Sequence, residues 1–300
     1  MHDAHIHLAM EPLKSDLPRI IDTFLEKGGK HTLTQSTDLE DIDISLEIGK
    51  QYPNIINVAL GLHPTFFQEN TVEKGNENNI YEESQKLLTK FVTILEKNLP
   101  NISAIGETGL DYYQIGLQED LDPRIREEIK GIQKESFKKH VQIAVENNLP
   151  LSIHARDLNG SNECVEDVIN IVAKEGKGLA RGCFHSYTGD TKYLQPILDL
   201  GFCVGFNAII TYKSGEYVRR ILKETPVERI LFETDGPFLP PQSVRKNKKI
   251  KNKFAQPGDV KEIIEAAAKV KNISPEELEK ETDKNYERVF FVSTTHTNSP

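Results

Sequence analysis

The chain has 300 residues, of which 37% are apolar and 28% are charged, and its formal net charge is −9. This composition supports a hydrophobic core and excludes binding of nucleic acid through overall positive charge. No apolar run approaches the ~18 residues of a membrane span, and no basic segment followed by an apolar one opens the sequence. We therefore expect no membrane association and a cytoplasmic location, or also a nuclear one in a eukaryotic cell.

Apolar strand-like runs alternate with amphipathic helical segments in the first half of the chain. The polar stretch 66–81 has no periodicity and predicts a surface loop, and a further loop leads towards residue 124. The predicted strands are a run at residues 2–7 and the segments 31–35, 55–60 and 102–105, with helices at 17–27, 38–52 and 82–98.

The same alternation continues to the end of the chain. Strands are predicted at 151–154, 182–185, 202–206 and 229–233, and helices at about 124–147, 164–174, 192–200, 216–223, 259–271 and 274–290. Eight strands alternating with at least eight helices favour an α/β fold of the (β/α)8 TIM-barrel type over an open doubly wound sheet. We predict one domain over residues 1–293 and a flexible C-terminal tail over 294–300.

Side chains that bind metal ions recur where the predicted strands end, which is where barrel enzymes carry their reacting groups. In the first strand, the period of two places His5 and His7 on one face. A site of His, Glu and Asp without Cys favours zinc, magnesium or manganese, and six such ligands exceed the needs of one tetrahedral ion. We therefore predict two divalent metal ions and water activation for hydrolysis, with Glu107 between the ions. The candidates are His5, His7, Glu107, His154, His185 and Asp235, with His63 at a further strand end.

The motifs around these positions resemble the TatD-like metal-dependent deoxyribonucleases, a branch of the amidohydrolase superfamily. They are His5-x-His7, GLHP at 61–64, GETGLDYY at 106–113, IHARD at 153–157, HSYTG at 185–189 and ETDGPFLP at 233–240. The resemblance implies a TIM barrel with one ion on His5, His7, Glu107 and Asp235 and the other on Glu107, His154 and His185. It also implies cleavage of DNA from 3′ to 5′ with magnesium or another divalent ion, on single strands or 3′ ends.

The sequence departs from the usual pattern of this family in several places. Ser186 and Tyr187 follow His185 where the family usually has Cys and Phe, and Gln256-Pro257 stands in place of an Asn-x-Pro motif. The loops 66–81 and 114–131 look longer than the family core, so we expect a narrower access to the site. The first strand begins at residue 2 or 3, and we expect it to have little backbone to pair.

Asp235 and Glu107 are the predicted catalytic residues, Asp235 as the group that takes a proton from the attacking water. His63 either donates to a substrate phosphate or is satisfied within the barrel mouth. Arg156 either holds phosphate through two hydrogen bonds or pairs with Asp157. Lys248 and Lys249 belong to a run with six basic residues between 245 and 253, which either guides a polyanion or is a solvated charge run. Asp111, Tyr112 and Tyr113 are candidates for shaping the rim, where a tyrosine either stacks on an unpaired base or, as we favour, is packed. The histidines at 2, 31, 140 and 296 are interpreted as structural or surface residues.

Three classes of function remain open at this stage. The favoured one is a monomeric phosphodiesterase acting on DNA. The alternative is an amidohydrolase that cleaves C–N or ester bonds of a small molecule, and the absence of an evident bridging lysine on the fourth strand weighs against it. A non-catalytic metal or nucleic-acid binder is the third. No glycine-rich loop of the dinucleotide or Walker type follows a strand, so cofactors of those kinds have no support.

Overall fold

Eight parallel strands form a nearly closed barrel in the computed structural model, which describes residues 1–71 and 79–291. The strands follow one another round the barrel in chain order, which confirms the predicted (β/α)8 TIM barrel. They are β1 (His2–Ile6), β2 (His31–Gln35), β3 (Ile56–Leu60), β4 (Ala104–Asp111), β5 (Leu151–Arg156), β6 (Gly182–Phe184), β7 (Cys203–Phe206) and β8 (Ile230–Phe232).

Helices cover the outside of the barrel between successive strands. They are α1 (Leu17–Glu26), α2 (Ile42–Gln51), α3 (Thr65–Thr71), α4 (Ile80–Asn98), α5 (Tyr112–Leu117), α6 (Pro123–Glu146), α7 (Glu163–Gly176), α8 (Leu194–Asp199), α9 (Glu216–Glu224), α10 (Gln242–Lys246), α11 (Val260–Lys271) and α12 (Pro275–Phe290). Among the helices of the described ranges, none combines the length and the apolar composition needed to cross a bilayer.

The described parts of two stretches predicted as loops are largely helical. The stretch 66–81 begins inside α3 and ends inside α4, because Phe66 and Phe67 are buried and anchor a helix that has no periodicity of its own. Residues 72–78 lie outside the described part of the chain. In the stretch 114–131, only residues 118–122 separate α5 from α6. The prediction of long loops at the barrel mouth is therefore wrong for the described residues of these two stretches.

The inside of the barrel is filled with small and medium side chains. Almost every strand contributes one residue to this layer, and Tyr286, Val289 and Phe290 of α12 cover it at the N-terminal end of the strands. A much larger apolar layer lies between the strands and the outer helices. The N-terminal end of the barrel is thus closed by packing, which leaves the C-terminal end for a site. The inner layer consists of Ala4, Leu33, Ala59, Ala104, Cys183, Cys203 and Leu231.

The barrel closes where β1 meets the segment that follows β8. Asp235 N donates to His5 O over 2.9 Å, and His7 N donates to Gly236 O over 2.8 Å. The buried Asp3 carboxylate accepts from Thr234 N at 2.9 Å and from Thr234 Oγ1 at 2.6 Å. The prediction that β1 has little backbone to pair is therefore wrong, because β1 also pairs with β2 on its other edge.

The predicted tail at 294–300, with His296, lies outside the described residues. The same holds for the domain boundary at 293, so the domain assignment stays a prediction.

Candidate metal centre

Four of the predicted ligands form a group at the end of β1. The Nε2 atoms of His5 and His7 are 3.3 Å apart, and each lies 3.4 Å from Glu107 Oε2. Asp235 Oδ1 lies 3.5 Å from His7 Nε2 and 3.8 Å from His5 Nε2. Ligand atoms bound at about 2.1 Å to one tetrahedral ion are ~3.4 Å apart. The spacing and the chemistry of this donor set therefore fit a divalent metal ion.

The other oxygen of Glu107 faces a second group of imidazoles. Glu107 Oε1 lies 2.7 Å from His185 Nε2 and 2.8 Å from His154 Nδ1, and these two nitrogens are 3.2 Å apart. His63 Nε2 is 3.6 Å from the same oxygen. His63, predicted only as a substrate contact, thus forms a possible ligand group with Glu107 and His154. Glu107 divides its two oxygens between two nitrogen clusters, which is the arrangement of a bridging carboxylate.

Most of these histidines have a second polar partner on the far side of the ring. His154 Nε2 lies 2.9 Å from Asp111 Oδ2, and His5 Nδ1 lies 3.0 Å from Ser152 Oγ. His185 Nδ1 is 3.5 Å from Glu233 Oε1. Such partners fix the orientation of a ligating imidazole and increase its basicity.

These outer partners were not predicted from the sequence. Asp111 was predicted only at the rim, and Ser152 and Glu233 had no predicted role. For Ser152, two residues before His154 in a predicted strand, the period of two was a usable signal. Glu107 and Asp111 are four residues apart on β4, so they face the same side. A strand that carries a ligand inwards also carries its neighbours at two and four residues inwards.

Burial and the close charges shift the ionisation of the cluster in both directions. Burial lowers the pKa of His5 to about 3. Burial also acts to lower the pKa of His154, but its hydrogen bonds to Asp111 and Glu107 outweigh this and raise it to about 9. For Glu107, burial acts to raise the pKa, and the neighbouring charge of His185 and the hydrogen bond with His154 hold it well below its usual range. Glu107 is therefore ionised at neutral pH, as a metal-binding carboxylate has to be.

A cavity of about 770 Å³ opens above these side chains, and His63, Arg156 and Asp235 contribute to its lining. Arg156 is the sole Lys or Arg among the described lining residues. Its guanidinium lies 4.0 Å from the ring centroid of Tyr113. Asp157 instead accepts hydrogen bonds from the backbone of residues 164 and 165, so the alternative of an Arg156–Asp157 ion pair is wrong.

The remaining predicted residues lie away from the cavity. Lys248 and Lys249 are exposed and are not among its described lining residues. Tyr112 is buried and donates to Asp167 Oδ2 at 2.7 Å, so the ring is packed rather than placed at the rim. His140 is buried, and its Nε2 accepts from the backbone nitrogen of Leu62 at 3.2 Å, which is the structural role predicted.

The sequence matches a family of known proteins over almost its whole length. A family model for the TatD-related DNases matches residues 2–291. The chain belongs to this family of metal-dependent hydrolases. A relative from Buchnera aphidicola subsp. Baizongia pistaciae, described as an uncharacterized metal-dependent hydrolase, is 30% identical over 99% of this chain and 98% of its own. YabD of Bacillus subtilis, described in the same words, is 29% identical over 98% of this chain and 100% of its own.

A solved structure shows the same fold as this TatD-type barrel. The crystal structure of YjjV, a TatD homologue from Escherichia coli K12, superposes with a TM-score of 0.77 at 19% identity and covers 98% of each chain.

The departures from the family motifs leave the donor groups in place. Ser186 N donates to Glu233 Oε1, so the residue after His185 holds an outer partner through its backbone. Gln256 precedes the short turn before α11 and is not among the described residues that line the cavity.

Proposed function

We propose that this TatD-family hydrolase cleaves phosphodiester bonds in DNA and removes nucleotides from the 3′ end with two divalent ions, Mg²⁺, Mn²⁺ or Zn²⁺. The observation that carries the proposal is the division of the Glu107 oxygens, with Oε2 at 3.4 Å from both His5 and His7 and Oε1 within 2.8 Å of His154 and His185. A pair of ions bridged by one carboxylate suits displacement at phosphorus, because attacking and leaving oxygens both need charge stabilisation.

The chain supplies two ligand sets for these ions. His5, His7, Glu107 and Asp235 would hold one ion, and Glu107, His154 and His185 would hold the other. When bound, the ions would supply Lewis acidity to the phosphoryl group and lower the pKa of water towards ~7. The contacts of Asp111 with His154 and of Ser152 with His5 orient the imidazoles for this task.

Asp235 is the proposed proton acceptor for the attacking water. Burial acts to raise its pKa, but the hydrogen bond with His7 and the charge of His185 outweigh this and lower it. The carboxylate is therefore ionised at neutral pH and can take a proton. Its side chain lines the cavity, so water and substrate reach it from the mouth.

Arg156 and His63 are the proposed contacts for substrate phosphates. The Tyr113 ring beneath the guanidinium holds it flat, which suits bidentate hydrogen bonding to phosphate. His63 Nδ1 lies 2.8 Å from Thr65 Oγ1, and this contact holds the ring at the mouth. Lys248 and Lys249 would act on DNA that extends beyond the cavity. The proposed substrate is single-stranded DNA or a 3′ end, bound by a monomer.

The alternative substrate class is a small molecule with a C–N or ester bond. A bridging lysine on β4 would favour this alternative. Glu107 stands at that place on β4 instead, and no lysine is among the described residues that line the cavity. This weighs towards phosphodiesters, and the experiment decides between the two classes.

The test is a cleavage assay with a single-stranded oligonucleotide labelled at its 5′ end, in Mg²⁺ or Mn²⁺. We expect a ladder of products that shorten from the 3′ end, and we expect EDTA to abolish it. Asp235→Asn should remove activity, because the amide cannot accept the proton. Asp22→Asn, on the exposed face of α1, is the matched control and should behave as the wild type. Intact DNA together with turnover of small esters or amides would overturn the proposal.

A further inference from the structure

Two aromatic side chains stand at the mouth of the cavity with about half of their surface in solvent. Phe238 is 51% exposed and Tyr217 is 47% exposed. Of the large apolar side chains that are exposed in the described part of the chain, these two alone line the cavity. Large exposed aromatic groups gathered at one opening mark a contact surface rather than ordinary surface variation.

The backbone that carries the Phe238 ring is held in place on both sides of the residue. Phe238 N donates to Asp235 O at 3.0 Å, and the preceding Pro237 accepts from Ala255 N at 3.1 Å. On the other side, Pro240 O accepts from the Tyr212 hydroxyl at 2.8 Å. Because this backbone is already ordered, a ligand that packs on the ring has only the side chain to immobilise.

Phe238 is also next to the proposed metal ligands. Its ring centroid is 6.0 Å from that of His7, and the two planes are 71° apart. Phe238 follows Asp235 by three residues in the loop after β8. A flat group that stacks on Phe238 would therefore have its attached sugar and phosphate close to the ligand cluster.

Tyr217 and Arg156 occupy another part of the same mouth. Both side chains line the cavity. Burial raises the pKa of the Tyr217 phenol, and the charge of Arg156 opposes this shift. The Arg156 guanidinium already lies over the Tyr113 ring, with 4.0 Å between its carbon and the ring centroid. The mouth thus combines one permanent cation for phosphate with aromatic faces for bases.

We propose that Phe238 stacks on an unpaired base next to the scissile phosphodiester bond, that Tyr217 offers a second stacking face, and that together they select single-stranded over paired ends. This inference rests on the proposed nuclease function. Every base has a π-face, so stacking on an aromatic ring tolerates any sequence. A paired base has its faces covered by its neighbours and has to be unstacked before it can reach the ring.

The test compares normal single-stranded oligonucleotides with oligonucleotides whose last three nucleotides are abasic. The rate of the first cleavage is measured for the wild type and for Phe238→Ala. Wild-type kcat/KM should fall by about 5- to 100-fold on the abasic substrate, because it cannot form the base–aromatic stack. Phe238→Ala should show a similar fall on normal DNA, mostly through KM, and no further fall on abasic DNA.

Two variants control for effects other than stacking. Phe238→Tyr keeps the aromatic face and should restore the preference for bases. Tyr81→Ala removes an aromatic ring of 48% exposure on α4 that does not line the cavity, and it should match the wild type. Equal cleavage of abasic DNA by Phe238→Ala and the wild type shows that the variant is folded.

The outcomes separate this inference from the nuclease proposal. A Phe238→Ala protein that retains the full wild-type preference for bases would overturn the stacking role, as would a wild type that cuts both substrates equally well. A wild type that shortens neither substrate would overturn the nuclease proposal, and the stacking inference with it.

Discussion

The histidines at the two ends of β1 have different roles: one packs against other rings, and the others belong to the candidate metal centre. At the N-terminal end, the ring of His2 stacks on Tyr286 with centroids 4.3 Å apart and on His31 at 5.1 Å. At the C-terminal end, His5 and His7 direct their Nε2 atoms at one carboxylate oxygen of Glu107. All three rings are buried, His2 and His5 on this short strand and His7 directly after it.

The difference shows that position in the barrel, and not residue type, decides what a histidine does. Burial lowers the pKa of both His2 and His5 to about 3, so the charge state does not distinguish them. The faces of the His2 ring are used for packing against α12. The nitrogens of His5 and His7 converge with those of other strands, because the C-terminal ends of all strands meet at one mouth.

The largest expected effect is on the bridging position. Glu107→Gln removes the charge that both imidazole groups share, so we expect metal affinity and activity to fall by more than the ~10–100-fold cost of removing an outer partner. Calorimetric titration with Mn²⁺ measures the affinity and the number of ions. Glu287→Gln, near His2 at the other end of the barrel, is the matched control and should leave both unchanged. If Glu107→Gln bound two ions with wild-type affinity, the proposed difference between the two ends of β1 would be contradicted.

A smaller loss is expected when an outer partner is removed at the mouth. Asp111→Asn weakens the contact that orients His154, so Mn²⁺ affinity should fall by about 10–100-fold while the protein stays folded. Asp283→Asn is the corresponding change beside His2, where a carboxylate oxygen lies 3.7 Å from Nε2. That variant should keep the wild-type affinity, and equal losses in the two variants would contradict the functional difference between the ends.

At the N-terminal end, the expected effect is on stability. His2→Ala removes a ring packed on Tyr286 and His31, and the free energy of unfolding should fall by about 2–3 kcal/mol. Urea unfolding followed by circular dichroism measures this change. Metal affinity of the folded variant should match the wild type, and a specific loss of metal binding would show that the two ends are coupled.

The low pKa of His2 predicts a pH dependence of stability. Burial lowers the pKa to about 3, His31 and Lys30 act in the same direction, and Asp283 opposes them. Because the folded-state pKa lies below the unfolded value near 6.5, this stability is present above about pH 6.5 and is lost as the pH falls. His2→Phe keeps a ring but cannot titrate. Between pH 7 and 5, the wild type should lose about 1–2 kcal/mol relative to this variant in unfolding experiments, and parallel pH curves would refute the assignment.

The smallest expected effect concerns the basic run at the catalytic end. Changing Lys248, Lys249 and Lys251 together to Gln should weaken binding of single-stranded DNA and flatten its salt dependence, by up to ~0.7 in slope for each phosphate that the variant no longer neutralises. The control is the triple change of Lys30, Lys280 and Lys284 to Gln, at the opposite end of the barrel. An unchanged slope of log affinity against log salt in the first variant would show that the basic run does not guide DNA.

Sequence reasoning worked best where a buried strand ends in a polar residue. The run at Ile56–Leu60 was found almost to the residue, because parallel barrel strands are short, apolar and bounded by turn residues. The strand at His31–Gln35 was also found to the residue, although Leu33 is its one apolar side chain. The metal ligands followed from these strand ends. Their convergence could be expected from the topology alone.

The parts that were missed depend on contacts between distant segments. The strand β4 was predicted to stop at residue 105, before Gly106 and Gly109, and glycine inside a strand weakens its sequence signal. Pairing with β5, where Gly109 lies opposite His154, extends it to residue 111. A Cβ on Gly109 would lie 2.0 Å from His154 O, so the glycine is what allows this approach. The outer partner Asp111 became recognisable only with this extension.

The seam between β1 and β8 has a consequence for synthesis on the ribosome. The hydrogen bonds of Asp3 with Thr234 join positions 231 residues apart, and the same seam brings Asp235 to His5 and His7. A nascent chain whose β8 has not yet emerged from the ribosome has the histidines of the first strand but lacks the Asp235 carboxylate of their group. High affinity for a metal ion at this group should therefore arise late in translation, after nearly four fifths of the chain has emerged, and shorter fragments would bind metal only weakly.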